Sequence, residues 1–195
     1  NTGHEAFMSY CAVLDANVLY PSMLRSVLIS IAQTGLFWAR WTDEINEEWI
    51  RNLMINRADL DAARIRRTAD LMNAAVRDCR ITGYENLVGA LDLPDPNDRH
   101  VLAAAIKGKA DAIVTFNLSD FPEDNLASNG IEALHPDDFL INQLDMEQGL
   151  VLQAIHTQRV SLTKMPISAD ELISSLEHLG LPQTAARLSP MKMLI

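Results

Sequence analysis

Short apolar runs alternate along this chain with longer stretches whose apolar positions recur every three or four residues, and the alternation predicts most of its elements. Residues 11–14, CAVL, form a continuous apolar run of the kind found in strands buried on both faces. The run stops at Asp15. After Pro21, the positions Met23, Leu24, Val27, Leu28 and Ile31 take the helical period up to Gly35, a suitable C-cap. LFWARW, 36–41, reads as a second strand, and Thr42 followed by Asp43 and Glu44 starts a helix through Ile45, Trp49, Ile50, Leu53 and Met54. Residues 59–78 predict a further helix or a bent pair, and ENLVGALDL a weak strand interrupted by Gly89. PDPNDRHVLAAAIKGKADAIVTFN holds a capped helix over 98–107, a stop at Gly108 and a strand over 112–116. A short strand over 131–134 and a helix opened by Pro136 repeat the unit. Strands alternating with helices imply an α/β fold with a central, mostly parallel sheet flanked by helices. Beyond about residue 148 only helical patterns remain, among them a capping box at Ser168 and Glu171 with the stripe Leu172, Ile173, Leu176, Leu179. The expected organisation is one domain over 8–147 and a C-terminal helical appendage over 148–195.

Length and composition agree: 195 residues with 48% apolar content suffice for one substantial core. No run of about eighteen apolar residues predicts a membrane span, and no basic-then-apolar signal pattern opens the chain, so a cytoplasmic protein is expected. The opening NTGHEAF is unlike the start of a fold and is set aside, with His4 and Glu5, as an appended remnant. Cys11 and Cys79 make neither a metal nor a redox spacing. His100, His135, His156 and His178 are scattered without metal spacing and read as surface or packing residues. A formal net charge of −10 argues against indiscriminate binding to nucleic acid. From Arg51 to Arg80, however, seven arginines face four aspartates, a locally positive stretch in an acidic chain.

The informative acids stand at element ends. Asp15 follows the first strand, Asp98 opens the helix over 98–107, and Glu47 or Glu48 lies on the helix after the second strand. Asp95 with Pro96 already provides an N-cap and first helical position, and Asp98 shares a face with Val101 and Ala105, so it points inward. The strand DAIVTFN ends in Asn117 as the first ends in Asp15. If those strands are neighbours, both side chains and Thr115 emerge on one edge, the edge where ligands collect in open parallel sheets. Carboxylates about 4 Å apart repel by on the order of 4 kcal/mol per pair at an effective dielectric near 20. Such a cluster persists only with a cation or a shifted protonation. Carboxylates with an asparagine make an oxygen site suited to Mg²⁺ or Mn²⁺ rather than zinc.

VLDANVLYP, DEINEEWIRNL, DPNDRHVLAAA and ADAIVTFNLSDFP, in this order and spacing, resemble the PIN-domain nucleases, and among them the VapC-like ribonuclease toxins of bacterial toxin–antitoxin pairs. The resemblance covers about residues 10–140. It implies a PIN-like fold, an acidic pocket holding Mg²⁺ or Mn²⁺, endonucleolytic hydrolysis of RNA, and a cognate antitoxin protein as partner. The family's first acid falls on Asp15, and Asn17 matches a small polar residue two places on. The helix acid falls on Glu48 by the motif register, although the helical wheel does not separate it from Glu47. The third acid falls on Asp98. At the fourth position the usual aspartate is replaced by Asn117, with Asp120 three residues on, which puts a second metal in doubt; the two are expected as further metal ligands. Asp15, Glu48 and Asp98 are the expected catalytic residues, as ligands or as a base for water. Arg25, one turn into the first long helix, is a candidate phosphate contact as well as an ordinary surface arginine. The identity of the RNA, one metal or two, and monomer or homodimer stay open. A non-catalytic PIN-like module that only binds a partner is the alternative. A phosphatase or receiver domain fits less well, since the first strand lacks a paired Asp-x-Asp and no glycine-rich phosphate loop is present.

Overall fold

The computed structural model describes residues 10–195; His4, Glu5 and the first two residues of the expected 8–147 domain lie outside the described residues. Four short strands, β1 (Cys11–Leu14), β2 (Trp38–Arg40), β3 (Ala112–Val114) and β4 (Glu132–Leu134), make one parallel sheet in the order β2-β1-β3-β4. All of β1 and β3 is buried, which accounts for their unbroken apolar sequences. The chain runs from β1 to β2 on one side, then crosses to β3 on the other. The carboxyl ends of β1 and β3 are therefore the switch point of the sheet.

The helices in chain order are α1 (Ala16–Leu19), α2 (Ser22–Gln33), α3 (Asp43–Asn56), α4 (Ala62–Ala75), α5 (Glu85–Val88), α6 (Arg99–Lys107), α7 (Glu123–Leu126), α8 (Pro136–Val160), α9 (Ala169–His178) and α10 (Pro182–Leu188). Local chemistry starts several of them. Thr42 caps α3 by accepting from the Ile45 amide, and Asp95 caps the 3₁₀ turn Pro96–Asp98 that leads into α6. Gly108, the C-cap of α6, is a glycine for a steric reason: a Cβ there would lie 2.7 Å from the Ile81 side chain and 3.1 Å from the Ala104 carbonyl. No helix among the described residues is long and apolar enough to cross a membrane.

The weak strand expected in ENLVGALDL is a correction. Tyr84, Leu87, Val88 and Leu91 stand at i, i+3, i+4 and i+7, the helical period, and the segment forms the single-turn α5, which packs on α6. Similarly, β3 stops at Val114, so Thr115 and Phe116 lie just beyond the strand rather than inside it.

The C-terminal helices are fastened to the sheet domain by a displaced cap. α10 begins after Leu181, which has no side-chain oxygen to offer, and its first amides would be left without partners. Asp137, in the first turn of α8, replaces the missing cap. Its buried carboxylate accepts from the Gln183 amide at 2.9 Å, the Thr184 amide at 2.8 Å and the Thr184 hydroxyl at 2.7 Å. The backbone of α8 leaves helical geometry at Glu147, and beyond it Val151, Leu152 and Ile155 are buried where α8 packs on α2. Replacing Asp137 by alanine strands three donors, two of them buried on Thr184, so Asp137→Ala is expected to lower stability by about 2–3 kcal/mol. Urea unfolding measures this, and limited proteolysis should then cut first within 161–195.

Candidate active site

Asp15 ends β1 and caps α1, which puts its carboxylate at the switch point, 5% exposed. Burial of a charge there requires full hydrogen bonding. Oδ1 accepts from the Ala16 amide at 2.8 Å; Oδ2 accepts from the Thr115 hydroxyl at 2.8 Å and the Asn17 amide nitrogen at 3.2 Å. Asn17 also donates to the Thr115 hydroxyl at 3.0 Å and accepts from the Phe116 amide at 3.1 Å. It thereby fastens the end of β1 to the chain leaving β3. Burial lifts the Asp15 carboxyl above the usual carboxylate range, against the bonds from Thr115 and Ala16; Glu48 adds to the rise and His100 opposes it.

A cleft of about 380 Å³ opens in front of this carboxylate and is lined by Asp15, Asn17, Glu48, Asp98 and Asn117, with Tyr20 from the α1–α2 link and Asn52, Ile55 and Asn56 from α3. Residues more than eighty positions apart in sequence thus share one wall. Glu48 and Glu47 part company. Glu48 faces the cleft, whereas Glu47 pairs with Arg66 at 2.6 Å on the outer surface. Asp98 makes no side-chain capping bond, consistent with Asp95 taking that part. Its carboxyl is pushed up to about 7, first by burial and then by the charges of Asp15, Asp95, Asp120 and Glu48. The Asn117 side chain caps nothing and lines the cleft. Asp120, on the following 3₁₀ turn, does not line it and acts on Asp98 through its charge.

Arg25 does not line this cleft. Its guanidinium lies 4.6 Å from the Trp49 ring centroid and donates to the Leu19 carbonyl at 2.8 Å, bracing the end of α1; burial lowers its pKa to about 10. Of the two roles expected for His100, surface or packing, the structure shows packing. The ring is buried on α6, its Nε2 3.5 Å from Glu48 and its Nδ1 3.7 Å from Glu44. Burial works against its charged form, but Glu48, Glu44 and Asp15 outweigh that and raise its pKa. Asn52 and Asn56 were missed in the sequence, although they follow Glu48 at i+4 and i+8 and so continue one polar stripe of α3. A larger hollow, about 990 Å³, lies at the opposite end of the strands beside Cys11, Arg40 and Asp111, with a lining of mixed charge.

Among the described residues, no three acidic, histidine or cysteine side chains converge to the spacing of a bound metal ion. In kind, the donors suit a hard cation, since carboxylate and amide oxygens line one cleft and repulsion among the acids is written into the raised Asp98 pKa.

A family model described as PIN domain matches residues 11–119, which is 109 of the 195 residues and includes Asp15, Glu48, Asp98 and Asn117, with Asp120 one residue beyond it. The chain belongs to the PIN-domain family. Strands β1, β2 and β3 and every residue lining the switch-point cleft lie inside the matched region. A second model, described as VapC50 C-terminal domain, matches residues 136–190, the span from α8 through α10. Among curated proteins, the chain is 40% identical over 105 residues to a Mycobacterium tuberculosis protein named "Putative ribonuclease VapC50". That stretch is 54% of this chain and 61% of the relative, so the chain spans less than two thirds of the relative's length. No solved structure matches the chain significantly.

The raised Asp98 pKa fixes the sign of a pH effect in this PIN domain. The folded protein holds the Asp98 proton more tightly than the unfolded chain, whose carboxyl has its ordinary value of 3.8. The stability so gained is full below about pH 4 and is lost as pH rises through about 7. Metal-free protein in chelator should therefore melt lower at pH 8 than at pH 5. Asp98→Asn should flatten that dependence and raise the melting temperature at pH 8.

Proposed function

We propose that this PIN-domain chain is a divalent-metal-dependent endoribonuclease that hydrolyses RNA phosphodiester bonds, acting as the toxin of a toxin–antitoxin pair. The observation that carries the reading is the convergence of Asp15, Glu48 and Asp98, with Asn117, on one cleft at the switch point, where Asp98 is driven up to about 7. The likeness to a protein whose name includes ribonuclease supports it. Mg²⁺ or Mn²⁺, held by Asp15, Glu48 and Asp98 with Asn117 and Asp120 contributing, would polarise the scissile phosphate and acidify the attacking water. The residues themselves orient and exchange protons. Asp15, locked by three hydrogen bonds, is a preorganised carboxylate that needs no rearrangement on binding. The Asp98 carboxyl, titrating near neutrality, couples cation capture to release of its proton. Asn117 offers a neutral oxygen and leaves the remaining negative charge to Asp120. We further propose the division into a nuclease domain, 8–147, and a C-terminal helical extension, 148–195, supported by the break in α8 at Glu147. A cytoplasmic location accompanies this reading.

The second reading, a non-catalytic PIN-like module, is favoured by the spacing of the acids, which among the described residues do not converge as around a bound ion. One experiment separates the two. Purified protein should cleave a structured RNA with Mg²⁺ or Mn²⁺, stop on chelation, and lose more than about a hundredfold in rate on Asp15→Asn. A fully active Asp15→Asn protein, or no metal-dependent cleavage by the unaltered one, decides for the binding module.

The arginine-rich segment supplies the proposed contact with RNA or antitoxin. Arg57, Arg66, Arg77 and Arg80 pair with Asp59, Glu47, Asp78 and Asp43. Among the described residues Arg51, Arg64 and Arg67 make no ion pair, and Arg51 flanks a shallow groove with Met54 and the exposed Ile55. An acidic or amphipathic partner segment complements such a surface. Arg64→Glu with Arg67→Glu should weaken binding of RNA or antitoxin. If the two arginines touch RNA phosphates, the salt dependence should fall by about one unit of slope for each. Unchanged constants for both partners would reduce the segment to a solvated face.

A further inference from the structure

We propose that His100 is a positioning residue of the cleft: its imidazole holds the Glu48 carboxylate toward Asp15 and Asp98, and Glu44 with Tyr84 holds the imidazole in turn. The proposal rests on the metal-dependent reading of the cleft given above. The other buried positions of α6, Val101, Leu102, Ala103, Ala104 and Ala105, are all apolar. An imidazole placed there has two ring nitrogens to satisfy away from water. Nε2 lies 3.5 Å from Glu48 Oε2, and Nδ1 lies 3.7 Å from Glu44 Oε2 without a hydrogen bond of its own. Glu44 and Glu48 stand at i and i+4 on α3, one above the other, so the ring spans one turn of that helix and ties it to α6. Glu44 is itself fixed, accepting from the Tyr84 hydroxyl at 3.0 Å. Glu47, which lacks this bracket, swings to Arg66 on the far side of the helix. The ring thus distinguishes the acid that faces the cleft from its neighbour.

Mn²⁺ alone is the probe, titrated into the full chain and followed by electron paramagnetic resonance of the free ion, with melting temperature measured in parallel. Loss of a group that orients a metal-ligating carboxylate weakens metal binding by about tenfold or more. His100→Leu should therefore raise the Mn²⁺ dissociation constant about tenfold. His100→Asn, which keeps a polar side chain in place but is too short to reach Glu48, should do the same if the leucine variant fails to fold. His100→Gln, whose amide nitrogen reaches further, should recover most of the affinity. In RNA cleavage at saturating Mn²⁺, the asparagine variant should lower kcat with KM little changed. The sign of the change discriminates: simple removal of a positive charge beside a cation site would tighten Mn²⁺ binding. A purely structural role would lower the melting temperature and leave Mn²⁺ affinity unmoved. Binding that is unchanged or tighter in the leucine and asparagine variants overturns the proposal and leaves the metal-dependent reading standing. Absence of Mn²⁺ binding by the unaltered chain overturns both.

Discussion

A carboxylate at the end of a central strand has little access to water, and its charge must be balanced by bonds that the neighbouring elements supply. At Asp15 those bonds come from its own following helix and from the segment leaving β3. The relation holds in both directions. Thr115 and Asn17 satisfy the carboxylate, and in doing so they set how the ends of β1 and β3 meet. The cleft is built outward from that junction, with α6 delivering Asp98 from one side and α3 delivering Glu48 from the other.

The wall opposite Asp15 depends on α3 being held on two faces. Its apolar face, Ile45, Trp49 and Ile50, is buried, and Trp49 is stacked by the Arg25 guanidinium that also braces the end of α1. Its polar stripe of Glu48, Asn52 and Asn56 turns to the cleft, and Asn56 donates to the Tyr20 hydroxyl at 3.0 Å. A cation stacked on an aromatic ring and bonded to backbone carbonyls acts as scaffold even though its residue type suggests a role with phosphate. Residue type alone neither places Arg25 nor separates the packing role of His100 from a surface one, because neither sequence neighbours nor charge indicates which side chain packs against it.

The C-terminal helices are integral to this arrangement. Asp137 caps a helix 45 residues downstream, and Gly180, in the turn before that helix, lies beside Phe116, where a Cβ would be 4.0 Å from the ring. The Phe116 amide bonds Asn17, and Asn117 follows in the cleft. The extension therefore packs directly behind one edge of the site. The PIN-domain match ends at residue 119, and the second match takes up at 136, where this packing begins.

The strands, most helices and their caps were legible in sequence because they rest on short-range rules: continuous apolar runs for strands buried on both faces, and side-chain oxygens beside orphan amides at Thr42, Asp95 and Ser168. The acids at element ends stood out for the same reason, since each breaks a local apolar pattern. The α5 segment was misread because its glycine and leucines suggested a strand while the spacing from Tyr84 to Leu91 kept the helical period. Whether Glu47 or Glu48 faced inward could not be read from the helix itself, because adjacent positions there differ by only about 100° of rotation. Tertiary structure decided it, by setting His100 on one side and Arg66 on the other. It also decided that Arg25 would stack on Trp49 and that Asp137 would cap a distant helix. Sequence by itself determined what each segment would become, because that depends on neighbours a few residues away. Only the fold determined which charges would face one another, because that depends on distances closed by the packing of the whole chain.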